Sequence, residues 1–145
     1  MNTSQFIGIP GIMFPDQEIL AFEGERVTYG ELVDRIKRLA SGLRDQGIQA
    51  GDRVAILQTN CTQYIEAYYA TATLGATFVP LNYRAKPPEL EYMITAANTK
   101  ILIIGDRYVD VVNQLKPSLS CVEKYVTIET RRDDMLHYDD LIEQG

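Results

Sequence analysis

The sequence predicts an α/β layered fold: a mostly parallel sheet with helices on both faces and a hairpin at the N-terminal side. Three observations carry this. Helical and strand patterns alternate from residue 28 to residue 128. The strand patterns, Arg53-Val54-Ala55-Ile56-Leu57 and Ile101-Leu102-Ile103-Ile104 among them, are near-continuous apolar runs, as expected of strands covered on both faces. No linker, repeat or low-complexity tract interrupts the chain, so residues 1–145 read as one domain.

The elements follow in order. Ile19 to Phe22 is an apolar run, Gly24-Glu25 supplies a turn, and Arg26-Val27 leads back as a hairpin. Thr28, three residues before Glu31, forms a capping box that satisfies two orphan amide donors. Leu32, Ile36, Leu39, Ala40 and Leu43 then recur on one helical face, and Gly47 ends the helix. After the strand at 53–57, Asn60 or Thr62 caps a second helix that runs to about Leu74. Its small residues, Ala67, Ala70, Thr71 and Ala72, let its backbone lie close to a sheet. Gly75 breaks it, and Ala76 to Pro80 forms a short strand that Pro80 must end, because proline cannot donate to a ladder. Pro87 and Pro88 suit the first turn of a helix carrying Leu90, Met93, Ile94 and Ala97. Lys100 to Ile104 is a strand closed by Gly105-Asp106. Tyr108 to Leu115 is a short helix ended by Pro117, and Tyr125 to Ile128 is another strand. Arg131 to Asp134 reads as a charged loop, and Tyr138 to Gln144 as a half-formed helix.

Composition narrows the function classes. A net charge of -6 with scattered Lys and Arg argues against nucleic acid and against an acidic membrane surface. The span from Ala67 to Leu81 is too short and too rich in threonine to cross a bilayer. The N-terminus lacks the basic and apolar regions of a signal peptide, so a cytoplasmic soluble protein is expected. Cys61 and Cys121 read as two reduced, packed thiols.

Catalytic constellations are not visible. Neither a P-loop nor a G-x-G-x-x-G turn occurs, and the single glycine of Leu74 to Asn82 precedes its strand instead of following it. Gly105-Asp106 follows a strand but reads as a plain turn. His137, the sole histidine, lies among aspartates and is expected to be a solvated surface residue. The same aspartates lack the spacing of a hard-cation loop, so no metal is expected. Tyr64, Tyr68, Tyr69, Tyr83 and Tyr92 read as core edge and not as a stacking platform. Arg84 and Lys86 lie just past the end of a strand, where ligands of open parallel sheets bind. By spacing alone the favoured reading is a pair of solvated loop cations, with contact to a phosphorylated ligand the alternative.

Five motifs in order and in register give a resemblance. Val27-Thr28-Tyr29-Gly30-Glu31-Leu32, Gly51-Asp52-Arg53-Val54, Asn60 with Tyr64 and Ala67, Leu74 to Asn82, and Glu89-Leu90 with Tyr92 resemble the opening motifs of AMP-forming acyl-CoA synthetases and their adenylating relatives. The likeness runs from about Asp16 to Ile128. It implies the first subdomain of a larger enzyme that activates a carboxylic acid with ATP and Mg as an acyl-adenylate, then passes the acyl group to CoA. The Ser/Thr/Gly-rich phosphate loop ending in Pro-Lys and the catalytic lysine of such enzymes lie further along their chains. On that resemblance the 145-residue chain is expected to be catalytically silent, with the rest of the parent enzyme as its partner. A carrier-protein-loading enzyme and a non-catalytic binding or assembly module of the same fold are the alternatives. One site residue carries over: Arg84, in Pro80-Leu81-Asn82-Tyr83-Arg84, matches an arginine that some members place near the CoA nucleotide. Apolar surface left without its covering subdomain would make the isolated chain self-associate.

Overall fold

The computed structural model describes residues 2–145. Its helices are α1 (Ser4–Met13), α2 (Tyr29–Asp45), α3 (Thr62–Thr73), α4 (Pro87–Ala96), α5 (Val109–Leu115) and α6 (Tyr138–Gln144). Its strands are β1 (Glu18–Phe22), β2 (Glu25–Thr28), β3 (Arg53–Leu57), β4 (Thr77–Pro80), β5 (Ile101–Ile104), β6 (Lys124–Thr127) and β7 (Leu136–His137).

Strands β3 to β7 form one parallel sheet in the order β4-β3-β5-β6-β7. Successive residues of a strand point to opposite faces, and each face is dry. Val54, Ile56, Ile101, Ile103 and Val126 pack against α2, α3 and α6 on one side. Ala55, Leu57, Leu102 and Ile104 pack against α4 and α5 on the other. That double coverage is why these strands lack apolar–polar alternation. Proline ends β4 at Pro80, and β4 is an edge strand, as a residue without an amide donor requires.

The hairpin β1–β2 is antiparallel, as expected, but its turn lies one residue earlier than Gly24-Glu25. Glu23 and Gly24 both have positive φ, 48° and 86°, and two left-handed residues make the mirror-image turn that suits twisted strands.

Helix α2 starts as expected. Thr28 accepts from the Glu31 amide at 3.2 Å, and the Glu31 carboxylate accepts from the Thr28 amide at 2.9 Å. It ends in a Schellman motif: Gly47, with φ 97°, donates to the Arg44 carbonyl at 2.9 Å, and Ile48 donates to Leu43 at 3.1 Å. The aspartate of Gly51-Asp52-Arg53-Val54 ties this end to the sheet. Its carboxylate accepts from the Gln49 amide at 2.8 Å and from Lys100 Nζ at 2.9 Å. These two bonds hold Asp52 below the ordinary carboxyl range.

Other features were absent from the sequence reading. Helix α1 was hidden by Gly8, Pro10 and Gly11, which weaken a helical pattern. It forms because Ile7 is buried against α2 and α3, and Gly11 brings its backbone up to Val33. Strand β7 is two residues long, too short for any periodicity to register. Helix α6 is fully formed instead of half-formed, with Tyr138, Leu141 and Ile142 in the core. Neither Asn60 nor Thr62 caps α3: the N-cap is Cys61, and no side chain bonds the free amides of that first turn.

On α1, Phe6, Ile9, Ile12 and Met13 are exposed, as is Phe14 just after it. So many exposed apolar side chains in one short segment favour association. The Ile12→Asp variant, altering a side chain that is 84% exposed, should therefore stay monomeric at concentrations where the unaltered chain grows in light scattering.

Candidate site at the carboxyl edge of the sheet

Chain direction across the sheet reverses once. From β3 the chain crosses through α3 to β4 on one side, then returns through α4 to β5 on the other side of β3. Helix α3 consequently packs on one face, and α4 and α5 on the opposite face. The carboxyl ends of β3 and β5 diverge at that reversal, and such switch points are where open α/β sheets bind ligands.

A cavity of about 560 Å³ lies at that point. Gln58 and Thr59 enter it from the end of β3, Arg107 from the end of β5, and Glu129 from the end of β6. Cys61, Thr62 and Gln63 at the start of α3 supply one wall, and Phe22 to Glu25 of the hairpin reach over it. Its floor is a fixed hydrogen-bond network. Gln58 Nε2 donates to Glu129 Oε1 at 2.6 Å, and the Asp106 amide donates to Glu129 Oε2 at 2.8 Å. The Thr130 amide donates to Asp106 Oδ1 at 3.1 Å. Burial pushes the Asp106 carboxyl up, but the bonds from Thr130 bring it below its ordinary value. Gly105 is therefore more than a plain turn: a Cβ there would collide with the Gln58 amide, so glycine is what lets the network close.

The two thiols are free, as expected. Half-burial pushes the Cys61 thiol up, and a thiol held protonated is a weak nucleophile. His137 corrects the sequence reading: it is 5% exposed, not solvated. The imidazole sits on β7 with Nε2 3.0 Å from the Glu129 carbonyl, and Nδ1 accepts from the Asp139 amide at 3.2 Å as the N-cap of α6. With Nδ1 accepting, Nε2 is the donor, and the ring pins the β6–β7 loop. A sequence pattern cannot reveal this, because β7 is what buries it.

Arg84 and Lys86 stand at the same edge, after β4, and both are exposed. The loop holding them is ordered by local bonds. Asn82 Oδ1 accepts from the Arg84 amide at 3.0 Å, and Glu89 accepts from the Lys86 amide at 2.7 Å. The Arg84 guanidinium lies 5.6 Å from the centre of the Tyr83 ring. Neither cation contributes to the switch-point cavity wall. Of the tyrosines, Tyr64 and Tyr68 pack edge-on to Phe78 at 5.4 and 5.7 Å, the expected core edge. Tyr83 and Tyr92 depart from that expectation, at 41% and 72% exposed.

Strand order, double helical cover and a crevice at the reversal define a doubly wound α/β domain with a cavity at its carboxyl edge. The chain belongs to the AMP-binding enzyme family, whose family model matches residues 13–145. It is 36% identical to a 3-oxocholest-4-en-26-oate–CoA ligase of Rhodococcus rhodochrous over 83% of this chain and 22% of that protein. It is 39% identical to a feruloyl-CoA synthase of an Amycolatopsis species over 71% of this chain and 21% of that protein. The coronafacic acid ligase of Pectobacterium brasiliense shares its fold, with a TM-score of 0.93 at 24% identity, over 100% of this chain and 30% of that one. The chain thus spans about a fifth of the length of these curated relatives.

Proposed function

We propose that this chain is the N-terminal part of an ATP-dependent acyl- or aryl-CoA ligase. The observation that supports the reading most is the similarity, over 83% and 71% of the chain, to two relatives named for joining a carboxylic acid to CoA. In this reading ATP with Mg converts the acid to an acyl-adenylate, and CoA then takes the acyl group. The residues here provide a rigid sheet edge. The switch-point cavity, with the Gln58–Glu129 floor and the start of α3, is the wall against which the rest of the enzyme completes its site.

Arg84 is the one residue given a direct role, as a contact for a CoA phosphate. It is exposed at the carboxyl edge and its backbone is fixed by Asn82, and a guanidinium suits bidentate phosphate binding. In the ligase, Arg84→Ala should raise KM for CoA about tenfold, the size of one charge-assisted hydrogen bond. Carboxylate-dependent ATP–pyrophosphate exchange should stay at the unaltered rate. An unchanged KM for CoA would remove Arg84 from the site.

A further inference from the structure

His137 holds two neighbouring elements by its two ring nitrogens, and only one of those bonds survives the addition of a proton. Histidine is the one side-chain type whose ordinary titration falls between about pH 5 and 8, and this chain has a single histidine. The residue is 5% exposed, and β7 sets it beside Thr127 of β6. Nε2 lies 3.0 Å from the Glu129 carbonyl and holds the loop after β6. Nδ1 accepts from the Asp139 amide at 3.2 Å and caps α6.

A proton acts on these two bonds in opposite ways. Both nitrogens of an imidazolium are donors. The bond from Nε2 to Glu129 therefore stays, and gains strength because its donor is charged. The bond at Nδ1 is lost, because an N–H would then face the Asp139 N–H. Among the described residues no other side chain caps α6, so the amide of its first turn is left open.

The charges around the ring make the proton acceptable there. Asp139 Oδ2 lies 3.9 Å from Nδ1. Asp140 of α6 and Asp106 after β5 are also within reach of the ring's charge. The Glu129 carboxylate is taken up by Gln58 and the Asp106 amide. Of the cations, Arg131 is paired with Asp140, and Arg132 acts on Asp106. Asp139 thus offers the new Nδ1–H an acceptor in place of the lost amide. Its side chain is 53% exposed, and a pair so open to water is worth little. It does not replace the cap, since the backbone amide still has no partner.

We propose that His137 is an acid-sensitive clasp: protonated, it releases the start of α6 while keeping the Glu129 loop, and with it the cavity floor, in place. The device exchanges a backbone cap for a solvated ion pair with Asp139. Its reach is the packing of α6, which puts Tyr138, Leu141 and Ile142 in the core and sets the Leu141 backbone against Gly42 of α2.

The test is amide hydrogen exchange of the 145-residue chain at pH 7.5 and pH 5.5, each rate divided by that of the unstructured peptide at the same pH. Protection of Asp139, Leu141 and Ile142 should fall about tenfold at pH 5.5, the size of one lost N-cap. Strands β3, β5 and β6 should keep theirs. The ring nitrogen resonances should show Nδ1 gaining its proton over the same interval. Asparagine is a strong N-cap with no proton to gain, so His137→Asn should protect α6 equally at both pH values. Equal protection of α6 at both pH values in the unaltered chain would overturn the proposal, whether or not the variant folds. A pH-dependent loss of the same size in His137→Asn would also overturn it, as would an equal loss in β6.

Discussion

Glu66→Ala is expected to lower stability by about 3 kcal/mol, measured by urea unfolding, a large share of what a domain this size possesses. Glu66 is fully buried at the junction of α2, α3 and α6. Its carboxylate accepts from Arg35 Nε at 2.5 Å and Nη2 at 3.4 Å, and from the Tyr138 hydroxyl at 2.7 Å. Removing it leaves the buried Tyr138 hydroxyl only the Gln63 carbonyl at 3.4 Å and takes the carboxylate from a partly buried guanidinium. Because Arg35 keeps 37% of its side chain in water, it can rehydrate, which places the cost at the low end of the range for broken buried pairs. The hydrogen bond and ion pair with Glu66 raise Arg35 above its ordinary value despite burial.

The same cluster sets an alkaline limit. Burial first, and then the Glu66 charge and hydrogen bond, raise Tyr138 well above its ordinary 10.0. A group with a raised folded value contributes stability that is whole below its unfolded value and lost as pH climbs past it. The melting temperature should therefore fall above about pH 10. Tyr138→Phe should flatten that fall, while Tyr64, Tyr69 and Tyr125, also raised by burial, leave a residue of it. An equally steep fall in Tyr138→Phe would show that Tyr138 is not its source.

Gly42→Val is the second large effect, about 3 kcal/mol, with α6 displaced. Gly42 lies mid-helix in α2, where glycine is ordinarily a cost. A Cβ there would fall within the van der Waals shell of the Leu141 carbonyl, which is backbone and cannot swing aside. The glycine lets α2 and α6 meet backbone to backbone and seat Tyr138 on Glu66. Amide hydrogen exchange should show α6 losing protection before the sheet does. Gly42→Ala should show the same defect in smaller degree, since its methyl is offset by better helix propensity. Unaltered protection of α6 would mean that the two helices can separate at little cost.

These two positions also mark where sequence reading stops. Helix α2, strands β3 and β5, and the Pro80 stop were legible because period, capping and proline chemistry are local. Glu66 gave no signal: a glutamate on a helix normally faces water, and its partners are 31 and 72 residues away. His137 misled for the same reason, because a neighbourhood of aspartates looks solvated until β7 places the ring under the sheet edge. At the carboxyl edge, Arg84 was legible from the position of Pro80. Gln58, Arg107 and Glu129 were not, because only the strand order brings the ends of three strands together. The motif from Leu74 to Asn82 likewise reads in sequence as a marker and in structure as a device, setting the edge strand that leads into the loop of Arg84.

Our proposal that these residues carry scaffold, while the adenylating chemistry lies elsewhere in a parent ligase, is tested most directly by ATP–pyrophosphate exchange. The 145-residue chain, supplied with ATP, Mg and a panel of fatty and aromatic carboxylates, should exchange no label above the rate without acid. Carboxylate-dependent exchange by this chain alone would contradict that division.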